Sequence, residues 1–169
     1  LKEFDYSLSI FNSQSTISCI NRNEDVTTDS LFEVMYNESR VISELSNGAF
    51  DITVAPLVNA WGFGTKSHEP RTKKDFNIDS IKAFIGYQKT ALHNHHFLKD
   101  DARITLDASA IAKGYACDVI ATLLRQNGCK NLLVDIGGEV VLEGVNDTGN
   151  PWRVGISRPT IDATGMEKE

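Results

Sequence analysis

Leu106-Asp-Ala-Ser-Ala-Ile-Ala-Lys-Gly114 is the stretch from which the rest of the chain is read. It sets a carboxylate, a hydroxyl, small residues, a cation and a glycine in one strand-to-helix turn. The helix it opens is expected to run to about Asn127, with Gly128 as its terminator. A helix start offers unpaired N–H groups and the positive end of the dipole, so anions collect there. Lys113 adds a mobile positive charge, expected one or two turns in. Ala108, Ala110 and Ala112 are small enough for a ligand to approach the backbone. Asp107 is placed to bind a polar group of that ligand or to organise a cation.

Working outward, Asn131–Ile136 and Glu139–Gly144 read as strands around Gly137-Gly138. Pro151–Ser157 reads as a third, joined to the second through Asn146–Asn150. Before the opening stretch, Ile104–Leu106 reads as a strand, and Thr90–His93 with His96–Lys99 as a hairpin about Asn94-His95. His93, His95 and His96 invite a metal reading, but their spacing and the lack of an obvious fourth ligand favour an exposed hairpin tip. Residues 65–77 are polar and basic, a solvated loop, after which Asp79 is expected to cap a short helix through Phe84 that Gly86 closes. Helices interleaved with antiparallel hairpins give an α+β fold.

The first half carries the other long helix, residues 28–46. Ser30 and Glu33 have capping-box spacing, and Leu31, Val34, Met35, Val41, Ile42 and Leu45 form an apolar stripe expected to face the core. Gly48 is its expected stop. In Gly48-Ala-Phe-Asp-Ile-Thr-Val-Ala-Pro-Leu-Val-Asn-Ala-Trp-Gly-Phe-Gly64, Pro56 suits the first turn of a short helix ending at Gly62. Trp61 and Phe63 there are either an aromatic wall beside a ligand or a buried corner, and composition favours the corner. Residues 1–9 read as the tail of a helix with Leu1, Phe4 and Leu8 on one face. Residues 11–21 read as a Ser/Asn-rich loop with a short turn. Phe11 is either a core plug or a ring free to stack, the plug being favoured.

The 169 residues suffice for a domain with a real core, and 41% hydrophobic with 24% charged residues is ordinary globular composition. A net charge of −6 and a pI near 5.2 argue against nucleic-acid binding, which needs a basic face. No stretch approaches the roughly 20 apolar residues of a membrane span. Cys19, Cys117 and Cys129 lack metal spacing, and Cys117 is expected to be a small buried thiol. Neither Gly-x-Gly-x-x-Gly after a strand nor a phosphate-binding Gly-Lys-Ser/Thr loop is present. From the residues alone, the helix start, the Gly-Gly turn and the aromatic stretch suit a phosphate-bearing ligand with a flat ring.

Four motifs extend this reading: Gly48–Gly64, Leu106–Ala116, Val134-Asp-Ile-Gly-Gly-Glu139 and Pro151-Trp-Arg-Val-Gly-Ile156, in that order and spacing. Together they resemble the ApbE family of FAD:protein FMN transferases, and the resemblance covers essentially the whole chain. It implies an ApbE-like (T-fold-like) mixed or antiparallel sheet with packed helices, truncated, with residues 1–169 a single partial domain from the centre of a longer protein. It implies that FAD is bound and that, with Mg²⁺, its FMN moiety passes to a threonine of an acceptor redox subunit, releasing AMP. Hydrolysis of FAD to FMN and AMP is the alternative, and non-catalytic flavin binding a third.

Carried over by motif, the FAD contacts fall on Phe11, Ala49, Phe50, Asp51, Asp107 and Lys113. Ala110 offers its backbone carbonyl to Mg²⁺, an oxygen ligand that suits a hard cation. Trp61 is read as support for the site. The resemblance places further Mg²⁺ ligands in a later segment that this sequence does not contain, so the segment alone is expected to be inactive and to bind Mg²⁺ poorly. It also implies a lipoprotein on the periplasmic side of the inner membrane, anchored outside this segment.

Overall fold

The computed structural model describes residues 1–64 and 76–156. Most of the expected loop at 65–77, and the polar end at 159–169, lie outside the described residues. The chain forms two compact units, Leu1–Ala116 and Cys117 onward. The elements are α1 (Lys2–Leu8), α2 (Thr16–Asn21), α3 (Ser30–Leu45), α4 (Ala55–Ala60), α5 (Ile78–Lys82), β1 (Thr90–His93), β2 (His96–Lys99), α6 (Ala112–Gln126), β3 (Leu132–Ile136) and β4 (Glu139–Glu143). β1 pairs antiparallel with β2, and β3 with β4, as two separate two-stranded sheets. The α+β expectation holds.

The first unit is built on α3. Its buried face is Phe32, Met35, Tyr36, Ser39 and Ser43. The expected stripe is largely on the other side: Val34, Val41, Ile42 and Leu45 are exposed, Leu45 to 80%. Only Met35 of that set is buried. The cause is the two serines, which hydropathy assigns to the surface. Ser43 Oγ donates to the Ser39 carbonyl at 2.8 Å, so its hydroxyl is satisfied within the helix and its small side chain can be buried. Phe32, Tyr36 and Phe97 of β2 form a ring cluster, Phe97 standing edge-on to both at 5.8 and 5.4 Å. Burying a ring of this kind stabilises by roughly 1.5–3 kcal/mol. The Tyr36 hydroxyl meets Thr90 Oγ1 at 3.1 Å, so the polar tip is also satisfied.

Asp29, and not Ser30, is the N-cap of α3. Its Oδ1 accepts from Phe32 N at 2.9 Å and from the Ser7 hydroxyl at 2.7 Å, while Oδ2 accepts from the Thr16 hydroxyl at 2.8 Å. One carboxylate thus joins α1, α2 and α3. Partial burial would raise its pKa, yet these donors outweigh that and hold it below the ordinary aspartate value. Glu33 is not the reciprocal partner of a capping box, since it takes the Thr28 hydroxyl and His95.

Residues 16–21, expected to be loop, are the helix α2, because the Ser15 hydroxyl caps it by accepting from Ser18 N at 3.2 Å. Asn77, not Asp79, caps α5. α4 and the β1–β2 hairpin fall where expected, with Pro56 in the first turn of α4 and Gly62 at φ +83° beyond it. Asn94 and His95 turn the hairpin with positive φ, and His93, His95 and His96 are exposed. Leu1 is exposed and leaves the α1 face to Phe4 and Leu8.

The second unit has its own core of Cys117, Ala121, Leu132 and Val134, with Ile120, Leu124, Ile136 and Val141 around it. Burial, the leading cause, pushes the Cys117 thiol up, in keeping with the expected inert thiol. Gly128 ends α6 at φ +85°. Of the expected third strand, the described residues 151–156 keep one bridge, Val145 to Pro151. Asn146 occupies the chain there: its Oδ1 accepts from the backbone N–H of Thr148 and Asn150, which closes a tight turn.

Candidate functional site

The first unit contains a cleft with two adjoining chambers. The first, about 300 Å³, is lined by Ile10, Phe11, Asn21, Arg22, Asn59 and Gly64 among others. The second, about 450 Å³, is lined by residues 48–52, Ile85, Ser109 and Ala110 among others. Val58 and Asp107 belong to both, so Asp107 stands where the chambers meet.

One wall is the stretch Gly48–Val54. Asp51 holds it, as Oδ1 accepts from Thr53 N at 2.8 Å and from Thr53 Oγ1 at 2.7 Å. Its Oδ2 accepts from Tyr87 N at 2.8 Å, and Gly86 N donates to Thr53 Oγ1 at 2.8 Å. Both carboxylate oxygens are therefore committed to the fold. Asp51 lines the second chamber, but its acceptor capacity goes largely to shaping the wall. Phe50 is half-buried against the core, and Ala49 is exposed.

The opposite wall is 104–112. Ile104, Leu106 and Ala108 are buried, so the alternate residues Thr105 and Asp107 turn toward the cleft. The strand expected at Ile104–Leu106 does not form. Ile104 N donates to the Asp101 carbonyl at 3.0 Å, and side chains take further backbone groups: Lys99 Nζ donates to the Ile104 carbonyl at 2.8 Å and to that of Ile20 at 3.0 Å. The Asn21 amide takes both backbone groups of Leu106. Burial, the leading cause, lowers the pKa of Lys99. Asp107 N then donates to the Ile52 carbonyl at 2.8 Å, tying the walls together.

Helix α6 starts later than the sequence suggests. Ile111 N and Ala112 N both donate to the Ala108 carbonyl, and the ladder proper begins with Tyr115 N on Ile111 O at 3.0 Å. Ala110's carbonyl lies outside that ladder, and Ala110 is exposed in the second chamber. Lys113 is exposed in the first turn of α6, one residue past its start. It lines neither chamber.

Phe11 is 81% exposed and lines the first chamber, so the core-plug reading gives way to an available ring. The aromatic pair splits. Trp61 is half-buried and meets Phe76 edge-on at 5.2 Å, while Phe63 is 80% exposed. Of the lining residues that the motifs do not mark, two bear on the geometry. Arg22 donates to Glu24 at 2.7 Å and to the Ser13 carbonyl at 2.6 Å, which fixes a cation beside the first chamber. Asn21 is the other. Each looks like an ordinary polar residue at a helix end, and no spacing rule marks it.

Among the described residues the chain has six α-helices and two antiparallel hairpins, and its first unit opens a two-chamber cleft, the kind of concavity in which small molecules generally bind. The family model described as "ApbE family" matches residues 1–168, and the chain belongs to that family. It is 33% identical to the FAD:protein FMN transferase of Vibrio cholerae over 99% of this chain and 51% of that protein. With the Escherichia coli K12 protein of the same name, identity is 34% over 92% of this chain and 46% of that one. Among solved structures, the flavin transferase ApbE from Vibrio cholerae superposes with TM-score 0.84 at 31% identity, covering 99% of this chain and 55% of that one. The apo flavinyl transferase ApbE of Pseudomonas stutzeri gives 0.83 at 31% identity, covering 92% and 52%. The chain thus spans about half the length of the relatives it matches.

Proposed function

We propose that the two-chamber cleft binds FAD, and that the protein carrying it transfers the FMN moiety of FAD to a threonine hydroxyl of an acceptor protein. The hydroxyl oxygen bonds to the FMN phosphorus and gives up its proton to solvent, the bond from that phosphorus to the bridging oxygen breaks, and AMP leaves with that oxygen. The observation that carries the reading is the gathering of Phe11, Ala49, Phe50, Asp51, Asp107 and Ala110 on one cleft, with Asp107 at the junction. The names of the relatives agree with it.

The residues divide the work. Phe11 offers an exposed ring face to a flat base. Asp107 orients the nucleotide where the chambers meet, and Arg22 supplies fixed positive charge at the first chamber. Asp51 holds the shape of the second. Lys113, at the start of α6, acts on the pyrophosphate at longer range together with the helix end.

A carboxylate and a backbone carbonyl are oxygen donors of the kind Mg²⁺ accepts, and Mg²⁺ commonly keeps several waters beside one or two protein ligands. Asp107 and Ala110 would hold it. When bound it would neutralise charge on the pyrophosphate. Among the described residues no group of three or more His, Cys, Asp or Glu gathers as a metal site. With Asp107 and Ala110 as its protein ligands, Mg²⁺ is expected to bind residues 1–169 weakly and FAD measurably, with little dependence of the second on the first.

Flavin fluorescence titration with and without Mg²⁺ tests this directly. Tight, strictly Mg²⁺-dependent FAD binding by residues 1–169 would overturn the expectation of weak metal binding through Asp107 and Ala110. Incubating the intact protein with FAD and a threonine-bearing acceptor should give a covalently fluorescent acceptor. Free FMN and AMP without labelled acceptor would instead establish a pyrophosphatase. An envelope location through a lipid anchor belongs to the same proposal, and fractionation of the producing cells tests it. Among the described residues no helix is long and apolar enough to cross a membrane.

A further inference from the structure

Asp107 can act at the junction of the chambers only if its backbone is fixed, and no sheet fixes it. Asn21, the last residue of α2, does what a neighbouring strand would do. Its Nδ2 donates to the Leu106 carbonyl at 2.9 Å, and Leu106 N donates to its Oδ1 at 2.7 Å. Leu106 N–H can only donate, so the amide has one orientation. A planar amide carries a donor and an acceptor side by side, the pattern a paired residue presents in an antiparallel ladder. One side chain, 85 residues away in sequence, thus satisfies both backbone groups of the residue before Asp107. Asn21 also lines the first chamber together with Thr105, Leu106 and Asp107.

We propose that Asn21 is the positioning residue for the Leu106–Ala110 turn, holding Asp107 and the Ala110 carbonyl in register with the opposite wall. The proposal rests on the flavin reading for its consequence in ligand binding, but the clamp itself can be tested without flavin. Asn21→Leu is close in volume and removes both bonds. Asn21→Asp keeps the acceptor for Leu106 N and sets a carboxylate oxygen against the Leu106 carbonyl, so it loses the donor alone.

Amide hydrogen exchange on residues 1–169 is the first readout. In Asn21→Leu the amides of Leu106 and Asp107 should exchange at least tenfold faster, with Asn21→Asp between it and the parent. Amides of the α3 core, Phe32–Tyr36, should keep their parent rates. Equal acceleration everywhere would reduce Asn21 to a general stability residue and overturn the proposal, as would unchanged exchange at Leu106 and Asp107. FAD titration is the second readout, with an expected loss of about tenfold in affinity for Asn21→Leu and less for Asn21→Asp. An unchanged affinity beside accelerated exchange would also overturn it, since the turn would then not matter to the ligand. Absence of FAD binding by the parent protein would overturn the flavin reading instead, leaving the exchange rates to decide the clamp.

Discussion

The two walls of the cleft are held in opposite ways. The wall at 48–54 is supported from close by: Asp51 caps its own turn through Thr53 and reaches one further element, at Tyr87. The wall at 104–110 is supported chiefly from afar, by Asn21 at Leu106, 85 residues on, and by Lys99, which joins the Ile104 carbonyl to that of Ile20 in α2. A locally held turn keeps its shape wherever its residues go. A remotely held one exists only once α2 and β2 have docked. The site therefore has one wall that the chain encodes nearby and another that the fold has to assemble.

The largest effect should come from breaking the local wall. Asp51→Ala leaves Thr53 N, Thr53 Oγ1 and Tyr87 N without their charged acceptor. Hydrogen bonds to ionised groups contribute about 1.5–3 kcal/mol each and do not add fully, so unfolding free energy should fall by about 2–4 kcal/mol. Chemical denaturation measures it. A loss below 1 kcal/mol would mean that the wall is not held through this carboxylate.

Asp29 provides a reference outside both walls, because it fastens the three helices on which both depend. Its folded pKa is depressed, so its contribution is present above the unfolded aspartate value and is lost as pH falls through the folded one. Stability of the parent should therefore drop on acidification below about pH 4. Asp29→Asn should flatten that drop and cost about 1–3 kcal/mol at neutral pH. An acid profile identical to the parent's would remove Asp29 from this role.

Lys99→Met tests the remote wall through the other side chain that holds it, the one bonded to Ile20 beside Asn21. It frees the Ile104 and Ile20 carbonyls but also removes a half-buried charge, so the two effects partly cancel. The expected net loss is about 1 kcal/mol, smaller than for Asp51→Ala, and thermal denaturation of the pair checks that order. The smallest effect on the fold belongs to Phe11→Ala. The ring is exposed, so stability should stay within about 0.5 kcal/mol of the parent. FAD affinity should nevertheless fall by about 0.5–1.5 kcal/mol, the scale of an aromatic contact. Unchanged flavin binding would take Phe11 out of the site.

Much of this was legible in the chain, and unevenly so. The β1–β2 hairpin was readable because Asn94 and His95 accept positive φ between two short apolar-alternating runs. The end of α6 at Gly128 and the start of α4 at Pro56 were readable for similarly local reasons. The face of α3 was not, since Ser39 and Ser43 count as polar until their hydroxyls are seen bonding within the helix. Nor was the α6 start, where the Ala108 carbonyl takes two donors and leaves that of Ala110 outside the ladder. For the candidate site, the motifs point to Asp107 and the 48–51 stretch, which line the cleft, whereas no motif points to Asn21 or Arg22, which line it as well.

The amino-acid sequence alone determined which residues cap and end turns, where short helices and hairpins form, and which motifs mark the family. These depend on backbone preferences and on hydrogen bonds that span a few residues. Tertiary structure decided which face of α3 is buried, which oxygen of the 106–114 stretch remains available, and what holds Asp107 in place. Those outcomes depend on atoms that meet only after folding. The opening stretch supplies the carboxylate and the carbonyl, and Asn21, 85 residues before Leu106, supplies their register.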